Sequence, residues 1–302
     1  MKKMRLHIYI ALGVFVIGFI VGSFVDKALM EAVFSRGNGF GIFMSTIGTL
    51  PGYMMLAVIG GGFVALAFNK YKVIYRVILY IVAAACFVCA IYFSGREFFG
   101  ENGFYNAKLG WLGYLIALPF AVGCGILGIY LIKNSKTPYL WLILAIIAFF
   151  IFMSLVPGVT LLKGIFHRPR YRTLSLYEGI EYHSWWQRCS NYKDLMAAYG
   201  VSKEEFKSFP SGHAGASAVF MLCAAFLPLL DKKYEKLSLI LFYSGFAWVL
   251  FVSFTRILVG AHFLSDVSMG GILTLGFTLI ANEVIIAVNK KLALQKEEQV
   301  NN

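Results

Sequence analysis

Apolar residues gather into eight runs along this chain, roughly 8–25, 50–68, 73–93, 111–132, 139–162, 213–230, 237–255 and 263–288. Crossing about 30 Å of hydrocarbon takes about 20 mostly apolar residues in a helix, so runs of this length are spanning segments. None alternates with period two over its length, which favours helices over a membrane barrel. The pattern predicts an all-α integral membrane protein with about eight transmembrane helices. The second run is the least regular. Phe40 to Leu50 before it is apolar but rich in glycine, and Pro51 interrupts it, the pattern of an interfacial or partly re-entrant segment. The first run follows Met-Lys-Lys-Met-Arg, a signal-like basic start. Its apolar part is too long for a signal's hydrophobic region and no small-x-small cleavage site follows, so a retained signal anchor is expected.

Composition agrees with this pattern. Of 302 residues, 59% are hydrophobic and 14% charged, against about a quarter charged in soluble domains, which argues against a water-soluble enzyme. The net charge of +12 would suggest nucleic acid in a soluble chain, but basic residues also set membrane orientation. With the N-terminus taken as cytoplasmic, 14 of the 27 lysines and arginines fall in short cytoplasmic segments, Lys3, Arg5, Lys70, Lys72 and Lys133 among them. The opposite side holds Lys27, Arg36, Arg96, Lys108 and Arg256 in short segments, and the remainder in one long loop, 163–210. Long loops count for little in this rule, so both termini are expected to be cytoplasmic. The excess charge reads as an orientation signal, and no nucleic-acid partner is expected. Within the spans, Arg76 and Glu283 sit near cytoplasmic ends, where snorkelling is the ordinary explanation. The absence of a mid-membrane relay of ionisable groups weighs against a proton-coupled transporter. The five cysteines lack the paired spacing of a disulfide framework or zinc site.

The unusual polar residues form three clusters. The fifth run leads into Lys163-Gly-Ile-Phe-His167-Arg168-Pro169-Arg170-Tyr-Arg172; the long loop ends in Phe209-Pro210-Ser211-Gly212-His213; and Thr255-Arg256 close the seventh run, with His262 and Asp266 following. The orientation drawn from loop charge brings all three to one face. Pro-Ser-Gly at a helix start offers free N–H groups and a positive dipole end to an anion. His262 and Asp266 are four apart and share a helix face, so Asp266 can accept from one imidazole nitrogen and leave the other to attack or take a proton. Lys163, Arg170 and Arg256 supply cations for a phosphoryl transition state. No carboxylate cluster suits a pair of metal ions, so chemistry without metal or other cofactor is expected.

These residues resemble the tripartite signature of the type 2 phosphatidic acid phosphatase family, the lipid phosphate phosphatases: KxxxxxxRP, PSGH and SRxxxxxHxxxD. The second motif is intact at Pro210-Ser211-Gly212-His213, and the third reads Thr255-Arg256, His262 and Asp266, with threonine for serine. In the first, spacing from Lys163 reaches Arg170, but Tyr171 stands where proline is expected. Arg168-Pro169 supplies the dipeptide two residues early, so Arg168 is an alternative or additional contact. The resemblance implies a six-helix phosphatase-type core, His262 as nucleophile forming a phosphohistidine, Asp266 orienting it, and His213 protonating the leaving alcohol. Lys163, Arg170, Ser211, Gly212 and Arg256 would hold the phosphate oxygens. In the family the first motif usually follows the third span; here five spans precede it.

The chain thus reads as one membrane domain, 1–302, with N-terminal spans in 1–110, a catalytic core over 139–288, and the extracytoplasmic loop 163–210. The expected activity is hydrolysis of a terminal phosphate monoester or pyrophosphate of a lipid at the extracytoplasmic face, in a bilayer read as a bacterial cytoplasmic membrane with the active site facing outward. Phosphotransfer to another acceptor through the same pocket, or a non-catalytic lipid-binding protein or flippase, are the alternatives. In the loop, Trp185 and Trp186 are expected to pack the loop or form an interfacial belt, and His167 and His183 to be structural or solvated. Residues around 193–207 read as short amphipathic helical turns, with Ser202 and Glu205 spaced as a capping box. Cys189 is expected as a free thiol or an intermolecular link.

Overall fold

The computed structural model describes residues 2–68, 72–99 and 110–301; Lys70 and Lys108, counted above in the charge balance, lie outside them. Every apolar run becomes a helix, because a backbone in hydrocarbon must satisfy its own N–H and C=O groups. In order they are α1 (Lys2–Val33), α2 (Gly39–Ile47), α3 (Leu50–Ala67), α4 (Val73–Phe99), α5 (Gly110–Lys133) and α6 (Leu140–Met153), then the short α7 (Leu162–Phe166), α8 (Tyr171–Leu174) and α9 (Tyr192–Tyr199), then α10 (Gly212–Phe226), α11 (Glu235–Leu258) and α12 (Leu264–Asn301). Eight segments are long and apolar enough to cross a membrane, with α2 and α3 counted as one and α6, α7 and α8 as another. No strand occurs among the described residues. The protein is an all-α integral membrane protein.

Two irregularities have a sequence cause. Asn38 caps α2 by accepting from the Gly41 N–H at 2.9 Å, and Pro51 falls in the first turn of α3, where its missing N–H costs nothing. The glycine-rich second run therefore splits into two helices. Between α6 and α7, Ser154–Leu161 is π-helical around Pro157. A proline ring clashes with the carbonyl four residues back, and here the turn opens to accommodate it.

The helices alternate in direction. At one end Lys3 pairs with Glu235 at 2.9 Å and Arg5 with Glu283. At the other, Asp26 of α1 meets Arg168, just beyond α7, at 2.9 Å. The chain therefore begins and finishes at the end opposite the three polar clusters. Glu283 is a paired group, and Arg76 donates from Nε to the Ala67 carbonyl at 3.0 Å.

Packing divides into α3, α4 and α5 on one side and α1, α10, α11 and α12 on the other, joined by α3 against α10 and by α6 against α3 and α12. Where α3 crosses α5 the backbones touch: a Cβ on Gly61 would lie 2.0 Å from the Gly125 carbonyl oxygen, and one on Gly128 would lie 1.9 Å from that of Val58. Small residues at a crossing are what permit this approach in lipid. Outer faces stay apolar, with Ile17, Ile20, Leu115 and Ile126 exposed, a surface suited to hydrocarbon and not to water.

Candidate active site

The three polar clusters do converge at one end of the bundle. Lys163 comes from α7, Arg170 from the turn before α8, Ser211, Gly212 and His213 from the start of α10, Arg256 from the last turn of α11, and His262 and Asp266 from either side of the start of α12. Lys163, Arg170, Gly212, His213 and His262 line one cavity of about 690 Å³. Lys163 and Gly212 are neighbours, since a Cβ on Gly212 would lie 3.8 Å from the lysine Nζ. The two histidine rings stand 6.4 Å apart.

Ser211 is the N-cap of α10 and its Oγ accepts from the Ala214 N–H at 3.3 Å. The first-turn N–H groups of Gly212 and His213 have no intrahelical acceptor, as at any helix start, and carry the positive end of the dipole. Arg256 is buried, and its Nε and Nη2 have no hydrogen-bond partner among the described residues. A buried guanidinium with unused donors is costly unless it meets an anion.

His262 is held differently from the expectation. Its Nδ1 lies 2.7 Å from the carbonyl oxygen of Ser208, while Asp266 Oδ2 stands off at 3.9 Å. A carbonyl can only accept, so Nδ1 carries the proton and Nε2 keeps its lone pair. Asp266 is occupied by its own helix start, accepting from the Phe263 N–H at 2.8 Å, and by the Ser208 hydroxyl. The aspartate thus seats Ser208, and Ser208 seats the imidazole. Burial first, then the charges of Lys163, Arg170 and Arg256, hold His262 well below its ordinary value, so the ring is neutral near pH 7.

Arg168 is fully buried behind this cavity. Its Nε donates to the His183 carbonyl at 2.8 Å, Nη1 to Ser265 Oγ at 2.9 Å and Asp266 Oδ1 at 2.6 Å, and Nη2 to Asp26 Oδ2 at 2.9 Å and the Tyr182 hydroxyl at 3.2 Å. All five donors of the guanidinium are engaged within the protein, and its face lies 3.9 Å from the Phe263 ring centroid. Arg168 therefore clamps α1, the loop and α12 together, whereas Arg170 faces the cavity.

The loop is tied down at its base. Glu205 pairs with Arg172 and accepts from Thr173 at 2.6 Å, so its carboxylate is spent there. Burial alone would raise this carboxyl, but the Arg172 hydrogen bonds and the charges of Arg170 and Arg172 outweigh it and hold it down at about 2. The expected helical turns appear as α9 and a 3₁₀ turn, Lys203–Phe206. Trp185 packs inward, donating to Ser23 at 2.8 Å and stacking on Phe209, while Trp186 is exposed. His167 stacks on Tyr192, and Cys189 is a buried free thiol.

Sequence reasoning missed Ser208, Asp26 and Glu97, the last a buried carboxylate of α4 that lines the cavity. Asp26 and Glu97 are acids just past the ends of the first and third apolar runs, a signal the sequence does carry; Ser208 seats His262 through its backbone carbonyl, which carries none. Among the described residues no three His, Cys, Asp or Glu side chains group as a metal site.

Comparison with curated proteins and with solved structures returns no match. The family model of the PAP2 superfamily matches residues 138–289, which is α6 through most of α12 and includes all three polar clusters. On that match, the order of its motifs and their convergence on one cavity, the chain belongs to the PAP2 superfamily, whose members are generally phosphatases.

Proposed function

We propose that the protein removes a terminal phosphate, as monoester or pyrophosphate, from a membrane lipid at the extracytoplasmic face, without a metal ion. The observation that carries this reading is the shape of one cavity. At its polar end stand Lys163, Arg170, His213 and His262; its walls then continue as apolar side chains of α4 and α6, including Ile81, Ala85, Ala148 and Phe152. From Ile81 to Glu97 along α4 the helical rise spans about 24 Å. An amphiphile with an anionic head and a long apolar tail matches both ends.

In this mechanism His262 Nε2 attacks phosphorus while Nδ1–H stays on the Ser208 carbonyl. The P–O bond to the lipid breaks, and His213 gives a proton to the leaving oxygen. Water then attacks the phosphohistidine, returning a proton to His213, and the P–N bond breaks to release phosphate. Lys163, Arg170, Arg256 and the first N–H groups of α10 stabilise the equatorial oxygens, the part that metal ions play in other phosphatases.

The test is phosphate release by the purified protein from phosphatidate, phosphatidylglycerophosphate and isoprenyl phosphates and diphosphates. His262→Ala should remove activity, His213→Ala should reduce it by about 10²–10⁴ on a monoester, and EDTA should leave it unchanged. Full activity in the His262→Ala protein would end the mechanism.

A further inference from the structure

Glu97 closes α4, outside the matched family segment, and is 8% exposed. Its Oε2 lies 3.5 Å from His213 Nε2, the same nitrogen that stands 3.0 Å from the Ser45 carbonyl oxygen of α2. A carbonyl can only accept, so this nitrogen carries a hydrogen in either protonation state. The carboxylate therefore faces an N–H of His213 and not its lone pair. The transferable proton is left to Nδ1.

We propose that Glu97 is a positioning residue for proton transfer by His213 in the reaction of the preceding section, on which this inference rests. A doubly protonated His213 places a positive charge among Lys163 of α7, Arg170 before α8 and Arg256 of α11, with neutral His262 across the cavity. Among the described residues, four other acids near the cavity are paired with different cations: Asp266 and Asp26 with Arg168, Glu205 with Arg172 and Glu204 with Lys207. Glu97 has the neighbouring Arg96 at 3.4 Å, a half-exposed partner that also lines the cavity, and Tyr53 of α3 lines the same wall. A carboxylate beside the imidazolium opposes the local cations and holds the ring in one orientation, as an acid catalyst requires. The long upstream region would then supply a group that acts on the chemistry of the matched core.

The decisive experiment compares leaving groups. Glu97→Gln keeps shape and removes charge. On a lipid phosphate monoester, whose alkoxide needs a proton, kcat should fall at least about tenfold with KM little changed. On p-nitrophenyl phosphate, whose phenolate leaves without protonation, the loss should be under about twofold, and the alkaline limb of the lipid kcat profile should move to lower pH. Glu97→Asp should recover part of the lipid rate. Equal losses on both substrates, or an unmoved alkaline limb, would overturn the proposal. Failure of the underlying reading looks different: His262→Ala would then hydrolyse p-nitrophenyl phosphate, whereas an inactive His262→Ala beside a fully active Glu97→Gln refutes only the role of Glu97.

Discussion

Arg168 and Arg170 are two positions apart, yet their side chains meet opposite surroundings. One is enclosed by two carboxylates, two hydroxyls, a carbonyl and an aromatic face; the other lines a cavity with Lys163 and His262. Their substitutions should separate cleanly. Arg168→Met leaves Asp26 and Asp266 buried without their cation, which costs about 3–5 kcal/mol and should appear as a large drop in the thermal midpoint in detergent. Arg170→Ala should leave that midpoint close to wild type and cut phosphate release by about 10²–10³. Spacing within a motif pointed to Arg170, because residues that reach one phosphate must keep fixed intervals. It did not reveal that Arg168 is saturated, since its partner Asp26 is 142 residues away. Nor did it reveal that a backbone carbonyl, shared by every residue type, fixes the tautomer of His262.

The helices themselves were largely legible, because length and apolarity decide a spanning segment before any packing does. The eight runs correspond to the eight spanning segments, the interruption at Pro51 shows in the sequence as well, and the π-helical turn at Pro157 needed the structure. Which helices face each other was not legible. Spans that are apolar all round give no directional signal, so the placement of α4 and α6 along one groove depends on tertiary fit. That groove makes an element-scale prediction. Ala148→Phe narrows the apolar wall and should raise KM several-fold for a long-chain lipid phosphate while leaving p-nitrophenyl phosphate hydrolysis unchanged. Equal effects on both would mean that the tail lies elsewhere.

For the whole molecule, alternation of helix direction sets the site at one end and both chain ends at the other, so orientation reduces to one question. On the charge balance between short segments, the proposed reading has the site end outside. Cysteine placed at the exposed Lys193 on α9 should react with an impermeant maleimide on intact cells, whereas cysteine at the exposed Lys136 should react only after permeabilisation. The reverse pattern would invert the protein in the bilayer and move the proposed reaction to the inner face.

The clamp around Arg168 also bears on how the protein comes to be made. Asp26 lies on α1 and Asp266 on α12, so α1 is synthesised well before its partner in the clamp, and Arg168 grips both. Until α12 is in place, the nascent chain holds Lys163, Arg170 and His213 but lacks the carboxylate that seats Ser208 and, through it, His262. Under the proposed mechanism a half-inserted chain is therefore chemically silent, and activity is expected to arrive with α12.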